Sequence, residues 1–432
     1  MSSGPAGRIR QLMAEPPPGP FRPGFWRSPL RGAWLTSFLG SCLLILITLV
    51  AVTGLISHSA YQPGTGHNAI VPPGGDVGPL ISLPSFSPAW AYAFTQGAHI
   101  TIGLIAIPLL LAKLWSVIPR LFAWPPTVSP AQAIERLSML LLVGGALFEF
   151  ATGVLNIQVF YPWHFNFVRA HYYGAWVFIS ALVVHVGVKL GTIRGAYRAH
   201  GVLKPLRENL AQTHPAAYEP GGLAPINPAA ATISRRGLLG MVGSASLALL
   251  VANLGESLGG PLRRFAFLAP RGRVFGTGPN AFPVNKTAQF VKVTALASNP
   301  NWKLTVTGQS SRQLSRAELM ALPQHTYTMP IACVEGWSTT QDWIGVRLSD
   351  IADLVGASPA AILEVSSLQP AGPFRQAAYT ADQVRDERAL LALCVNGVNL
   401  SLDHGYPARI IIPALPGVHC TKWVASMRFA EA

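Results

Sequence analysis

The side chains in this sequence that could do chemistry are few, and most are cysteine or histidine. There are four cysteines, Cys42, Cys333, Cys394 and Cys420. No Cys-x-x-Cys pair occurs, which excludes zinc ribbons and thioredoxin-type exchange. Cys42 lies in an apolar run and reads as a packing residue. So does Cys394, in Leu390-Leu391-Ala392-Leu393-Cys394. Cys333 stands in Ala332-Cys333-Val334-Glu335-Gly336-Trp337-Ser338, with a carboxylate two residues beyond the thiol. The three cysteines after Cys42 form an odd set, so at least one is unpaired or engaged elsewhere. Cys420 is left unassigned.

His99, His171 and His185 fall inside long apolar runs. An ionisable group there is costly and marks a functional site by default. His171 and His185 are 14 residues apart. That is almost four helical turns, so they share one face roughly 21 Å apart at 1.5 Å per residue. The arrangement suits haems near opposite membrane surfaces, each held by imidazoles from two helices. The spacing resembles the fourth helix of the bacterial cytochrome b subunits of formate dehydrogenases and hydrogenases, and that resemblance implies that His99 and His171, at matching depth, are the two ligands of one outer haem b. His185 has no evident partner, because the inner half of the first apolar run and the arm before it lack histidine. A second haem therefore stays open, and His58 is an alternative ligand. The competing reading of each is a hydrogen-bonded packing histidine. Glu149 is a further costly charge, read as protonated, paired with Arg169, or accepting protons at a quinol site. Arg169 with Tyr161, Trp163, Tyr172 and Tyr173 would suit haem propionates, or form an ordinary aromatic belt.

The elements that must position these residues follow from composition. The chain has 432 residues, is 50% hydrophobic and only 12% charged, against about 25% charged in soluble domains. Apolar runs at 34–57, 95–118, 137–157 and 170–190 approach the ~20 residues that cross a ~30 Å hydrocarbon core. The net charge is +14, but Lys and Arg cluster beside the apolar runs instead of forming a basic face. This argues for topology signals at a membrane and against nucleic acid as a partner. Arg10, Arg22, Arg27 and Arg31 precede the first run; Lys113, Arg120 and Arg136 flank the second loop; Lys189, Arg194, Arg198, Lys204 and Arg207 follow the fourth run. The alternation predicts a cytoplasmic N-terminus and a cytoplasmic end to the fourth span. Residues 1–33 read as a disordered cytoplasmic arm with no cleavable signal peptide, 34–200 as a four-helix membrane domain, and 201–233 as a cytoplasmic linker. Ser234-Arg235-Arg236-Gly237-Leu238-Leu239 then opens a fifth span over 234–260 that resembles a twin-arginine export signal; a stop-anchor obeying the positive-inside rule is the plainer alternative. This places 261–432 outside. There, short β-rich strings appear at Phe290-Val291-Lys292-Val293, Trp302-Lys303-Leu304-Thr305-Val306 and Ala408-Arg409-Ile410-Ile411-Ile412, punctuated by Gly and Pro. The expected fold class is thus multi-domain: a transmembrane helical bundle of four spans plus a fifth linking span, then a mixed, mostly β, α+β domain.

Three blocks of this last region occur in a telling order: the Cys333 string; Trp343-Ile344-Gly345-Val346-Arg347-Leu348; and Asp403-His404-Gly405-Tyr406-Pro407-Ala408-Arg409-Ile410-Ile411-Ile412-Pro413 with Gly417 and Thr421-Lys422-Trp423. Over roughly 280–432 they resemble the sulfite oxidase family of molybdopterin enzymes, on the branch near the periplasmic methionine sulfoxide reductase. The resemblance implies a molybdenum-molybdopterin cofactor with Cys333 as thiolate ligand to the metal, and soft thiolate suits molybdenum already bound by dithiolene sulfur. It implies that Glu335 lies near the metal, where a carboxylate could move protons, and that His404, Arg409, Gly417 and Lys422 hold the pterin. His419 stands where family members often carry a basic residue. Arg375 could face an oxo substrate or be a surface residue. The histidine spacing in turn resembles the bacterial cytochrome b subunits of formate dehydrogenases and hydrogenases. Together the resemblances imply electrons passing between quinol, haem b and an extracytoplasmic molybdenum site. S-oxides or N-oxides, small or protein-bound, would then lose oxygen. Oxidation of a sulfite-like donor is the reverse alternative, and a non-catalytic electron-transfer module with an empty pterin site is a third.

Overall fold

In the computed structural model, residues 15–61, 87–125, 129–219, 222–372 and 374–431 are described. Residues 1–14 of the arm expected to be disordered, and 62–86 of the first loop, lie outside the described residues. Among the described residues five helices are long and apolar enough to cross a membrane: α1 (Ala33–Tyr61), α2 (Ala91–Leu121), α3 (Pro130–Ile157), α4 (Phe167–His200) and α5 (Arg235–Leu258). The first four each contain one expected apolar run and extend beyond it, while α5 lies within the fifth span expected over 234–260. Many of their apolar side chains are exposed, Ile45, Leu140, Val183 and Met241 among them. A helix that is apolar all round is the form a chain takes in lipid, where every backbone polar group must bond within its own segment.

The chain divides into two compact units. One comprises Met1–Leu49, Ile102–Val154 and Phe165–Leu250. Here Leu30, Trp34, Leu35 and Leu39 pack with Ala112 and Val242. Lys113 Nζ donates to Thr36 O at 2.7 Å, and the Trp34 indole to Gly201 O at 2.9 Å. Residues 15–33 depart from the open arm expected of them. They form two 3-10 turns, Gly19–Phe21 and Pro23–Phe25. The Arg31 guanidinium lies over the Trp26 and Trp115 rings, at 5.2 and 4.5 Å. Aromatic contacts thus hold a segment whose Pro and Gly content alone suggested disorder.

The other unit comprises Val50–Thr101, Leu155–His164 and Val251–Ala432. Its body is α+β, built, among the described residues, on ten strands in two sheets. The first sheet has the order β2 (Ser311–Ser315), β1 (Lys303–Thr307), β10 (Val424–Ala430), β5 (Ile362–Ser367), β6 (Gln376–Tyr379), with β1 and β10 parallel. The second has β3 (His325–Ala332), β4 (Ser338–Arg347), β7 (Leu390–Val395) and β8 (Val398–Asn399), with β9 (Arg409–Ile411) pairing β7. Short helices intervene: α6 (Thr294–Ala297), α7 (Arg316–Ala321), α8 (Leu348–Leu354) and α9 (Ala381–Arg385).

Strand β7 shows how the core is divided. All six of its residues are buried, and alternate side chains leave opposite faces. Leu391 and Leu393 join the main core with Leu304, Val346, Leu363 and Ile410. Leu390 and Ala392 join a second cluster with Met329, Trp343, Cys333 and Cys420. The second cluster backs the site. Two of the three β-like strings are strands; Phe290-Val291-Lys292-Val293 is not. It forms a turn entering α6, with Lys292 at φ 58°. Val293 is drawn into a small core with Ala288, Ala297 and Trp423. Packing overrides β-propensity in so short a string.

Candidate functional site

The Cys333 string is the connection of the β3–β4 hairpin, whose last paired residues are Ala332 and Ser338. Residues 333–337 close on themselves. The Cys333 N–H donates to Trp337 O at 2.9 Å and the Gly336 N–H to Cys333 O at 3.0 Å, with Gly336 at φ 106°. The loop after β9 approaches from the other side. The Gly417 N–H donates to Ala332 O at 2.7 Å. A Cβ at Gly417 would lie 3.1 Å from Ile331 Cγ1 and 3.2 Å from Ala332 O, so only glycine lets the two loops meet this closely.

Between these loops lies a narrow cleft open to solvent, and Cys333, His404, Arg409, Gly417 and Lys422 all line it. The sequence reading placed these five residues in one site, and the fold brings them together from positions up to 89 apart in the chain (422 minus 333). Arg409 is buried on β9. Its Nη1 donates to His404 O at 3.0 Å and its Nη2 to Cys420 O at 3.2 Å, while Nε has no hydrogen-bond partner among the described residues. Its guanidinium lies 5.1 Å over the Trp343 ring. Burial brings its pKa down to about 10. Lys422 Nζ donates to Asn285 Oδ1 at 3.1 Å, Lys286 O at 2.6 Å and Asp403 O at 3.0 Å. Burial, then the Arg409 charge, holds the Lys422 ammonium well below its ordinary range. His404 stacks on Phe282 with ring centroids 3.6 Å apart, and its Nε2 lies 2.9 Å from Asn280 O. A carbonyl can only accept, so Nε2 carries the proton. Burial, then Arg409, pushes the His404 pKa down to about 3. The site is therefore a buried pocket of positive potential, with cationic groups held close together at a cost.

Cys333 is buried and unpaired in any disulfide. Burial, reinforced by the Glu335 charge, raises its thiol above the ordinary range. Without a metal it is a neutral thiol, and a bound cation would be what holds it as thiolate. Among the described residues no group of three or more His, Cys, Asp and Glu side chains converges to hold a metal ion. A metal here would arrive with most of its ligands.

Glu335 does not line the cleft. Its carboxylate is buried and accepts from Arg271 Nε at 2.9 Å, Arg271 Nη2 at 2.7 Å and the Trp337 indole at 3.1 Å. Proton carriage at Glu335 would have to compete with three hydrogen bonds. Arg271 escaped the sequence reading, since nothing in Arg271-Gly272-Arg273 marks it. Nor did any motif mark Phe282 or Asn285. Tyr161, expected among interfacial aromatics, sits close enough to Glu335 and Cys333 that their charges, added to burial, raise its phenol pKa. His419 is buried and meets Phe374 edge-on at 5.6 Å. Arg375 is exposed. Cys394 is a core residue on β7.

In the helical segments, His99 Nδ1 lies 2.9 Å from Val50 O, and a Cβ at Gly54 would meet the His99 ring at 2.8 Å. His171 Nδ1 lies 2.9 Å from Thr152 Oγ1 and 3.1 Å from Glu149 Oε2. Glu149 thus pairs with His171, where Arg169 was the partner considered from sequence. Its Oε1 has no hydrogen-bond partner among the described residues and packs where a Gly174 side chain would be. His185 and His58 are half-buried on α4 and α1.

Residues 291–432 match the family described as the oxidoreductase molybdopterin binding domain. Among curated relatives, sulfite oxidase of Arabidopsis thaliana is 27% identical over 163 residues, covering 29% of this chain and 41% of that one. The uncharacterized oxidoreductase YuiH of Bacillus subtilis is 29% identical over 154 residues, covering 35% of this chain and 75% of that one. The protein-methionine-sulfoxide reductase catalytic subunit MsrP of Xanthomonas campestris is 26% identical over 166 residues, covering 35% of this chain and 51% of that one. The chain thus spans less than half of the Arabidopsis protein and three quarters of the Bacillus one. The C-terminal third of the chain, residues 291–432, is therefore a molybdopterin-binding oxidoreductase domain related to sulfite oxidases and to methionine sulfoxide reductase.

Proposed function

We propose that the chain is a membrane-bound molybdenum oxidoreductase that passes electrons between the quinone pool and an extracytoplasmic molybdopterin site, reducing S-oxides or N-oxides. The observation that carries this reading is the buried thiol of Cys333 in one cleft with Arg409, Lys422 and His404. The residues fit the cofactor. Arg409 Nε is buried without an acceptor among the described residues, and clustered cations at depressed pKa values call for an anion such as a pterin phosphate. Cys333 would ligate molybdenum, Arg409 and Lys422 would bind phosphate and ring oxygens, His404 would offer a neutral imidazole, and Gly417 would admit the pterin to close range. The bound group supplies two-electron oxygen-atom chemistry. A sulfoxide takes up two electrons and two protons and leaves as sulfide and water. Glu335, tied to Arg271, would hold the Cys333 loop and help set the charge beside the metal.

The membrane half serves electron supply in this reading. His99 and His171 would hold one haem b. In both rings Nδ1 is engaged, by a backbone carbonyl in one and by Thr152 and Glu149 in the other, and such outer contacts orient ligating imidazoles. His185 and His58 remain the candidates for a second haem. Loop charges support a position outside the cytoplasm for the domain after α5, with Ser234-Arg235-Arg236 as a twin-arginine-like export element. Detergent-purified protein given a reduced quinol should consume a sulfoxide, protein-bound methionine sulfoxide included. Oxidation of sulfite with quinone reduction, and no sulfoxide turnover, would assign the reverse direction. Neither activity in molybdenum-loaded protein would leave the non-catalytic module.

A further inference from the structure

The loop that carries Cys333 is held by more than its own hairpin. Two of its carbonyls accept hydrogen bonds from the first turns of α2 and the last turns of α5, the parts of those helices that belong to the same compact unit. Gln96 Nε2, on α2, donates to Val334 O at 3.1 Å, and Ser257 Oγ, on α5, donates to Gly336 O at 3.1 Å. Gln96 is buried. Ile100, one turn along α2, fills the space beside Gly336: a Cβ on Gly336 would lie 2.9 Å from Ile100 Cδ1. The two helices are themselves locked at this level. Gly97 admits Ser257, whose Cβ would be 3.1 Å from a Gly97 side chain, and Asn253 Nδ2 donates to Thr101 Oγ1 at 3.2 Å.

We propose that Gln96 and Ser257 are positioning residues for Cys333. They clasp residues 333–337 from the outer ends of two helices, so that the metal-binding thiol is set by the membrane part of the chain as well as by the C-terminal domain. This deepens the proposed function and rests on Cys333 as the ligand. A metal ligand needs its rotamer and backbone fixed to a fraction of an ångström by surrounding contacts. A five-residue loop closed by two internal hydrogen bonds gains that fixity from partners outside it. The clasp also joins the helix bearing His99, three residues from Gln96, to the loop bearing the thiol.

The test is the alkylation rate of Cys333 in cofactor-free, full-length protein in detergent, read by peptide mass spectrometry. The variants are Gln96→Leu with Ser257→Ala, and Gln96→Glu alone, which keeps the size and is assayed at alkaline pH, where the ionised carboxylate offers no donor. Removing two hydrogen bonds of ordinary strength should raise Cys333 alkylation about tenfold to a hundredfold. Cys420, buried in the same cluster but outside the loop, should keep its wild-type rate and so separate local loosening from global unfolding. Gln96→Glu should move Cys333 alone in the same direction, which covers the case of a double variant that fails to fold. A Cys333 rate unchanged in Gln96→Glu, or a Cys420 rate that rises in step with it, overturns the proposal. The readout needs no metal. Wild-type protein purified without molybdenum would count against the proposed function and leave the thiol measurement standing.

Discussion

Replacing Arg271 by methionine removes the partner of a buried carboxylate, and the structure sets the size of the effect. The Glu335 side chain is 9% exposed and that of Arg271 29%. The pair is bidentate at 2.9 and 2.7 Å. Charges about 4 Å apart at an effective dielectric of about 20 interact by ~4 kcal/mol, and the partial exposure of Arg271 reduces this to ~2 kcal/mol. Stranding the carboxylate adds its desolvation, so Arg271→Met should destabilise the C-terminal domain by ~3 kcal/mol. Glu335→Gln should cost less, ~1 kcal/mol, because Arg271 can turn to water and the amide oxygen still accepts from Trp337. The double variant should then recover part of the loss, with a coupling energy of ~2 kcal/mol. Guanidinium unfolding in micelles, followed by tryptophan fluorescence, measures all four corners of the cycle. A coupling below ~0.5 kcal/mol is the behaviour of a solvated surface pair, and it would refute the placement of Glu335 as a buried brace of the Cys333 loop.

Other outcomes follow from the same geometry. Gly417→Ala drives a methyl against Ile331 and the Ala332 carbonyl; it should cost ~1–3 kcal/mol by overpacking and lower the pterin released on denaturation. His404 has a pKa of about 3 in the fold against an ordinary 6.5. Its unfolded form therefore binds a proton that the folded form refuses between those values. The stability it confers is full above 6.5 and lost as pH falls toward 3, at up to about 1.4 kcal/mol per pH unit. In cofactor-free protein His404→Gln should flatten that slope, and an unaltered pH profile would contradict it. His99→Ala should abolish the reduced haem absorbance, and an unchanged spectrum removes His99 as ligand.

Much of this architecture was legible because its signals are local. Apolar runs of span length became helices, since length and hydropathy alone decide the outcome in lipid. The Cys333, His404, Arg409, Gly417 and Lys422 blocks could be read because each is a compact string. Arg271 could not: it reaches Glu335 across 64 residues of chain, from a segment whose neighbours carry no motif. Glu149 was visible as a costly charge, but its partner depended on how α3 and α4 face each other, which spacing does not fix. Phe290–Val293 misled because three β-prone residues weigh less than the pull of Trp423. Residues 15–33 misled because Pro and Gly content says nothing of the aromatic partners that Trp26 and Arg31 find.

X-ray absorption at the molybdenum edge, on detergent-purified wild type and Cys333→Ser loaded alongside each other, tests the central claim most directly. The account predicts about one molybdenum per chain in the wild type, and one fewer sulfur ligand on the metal in the variant. Molybdenum absent from the wild type, or an identical sulfur shell in both proteins, would contradict it.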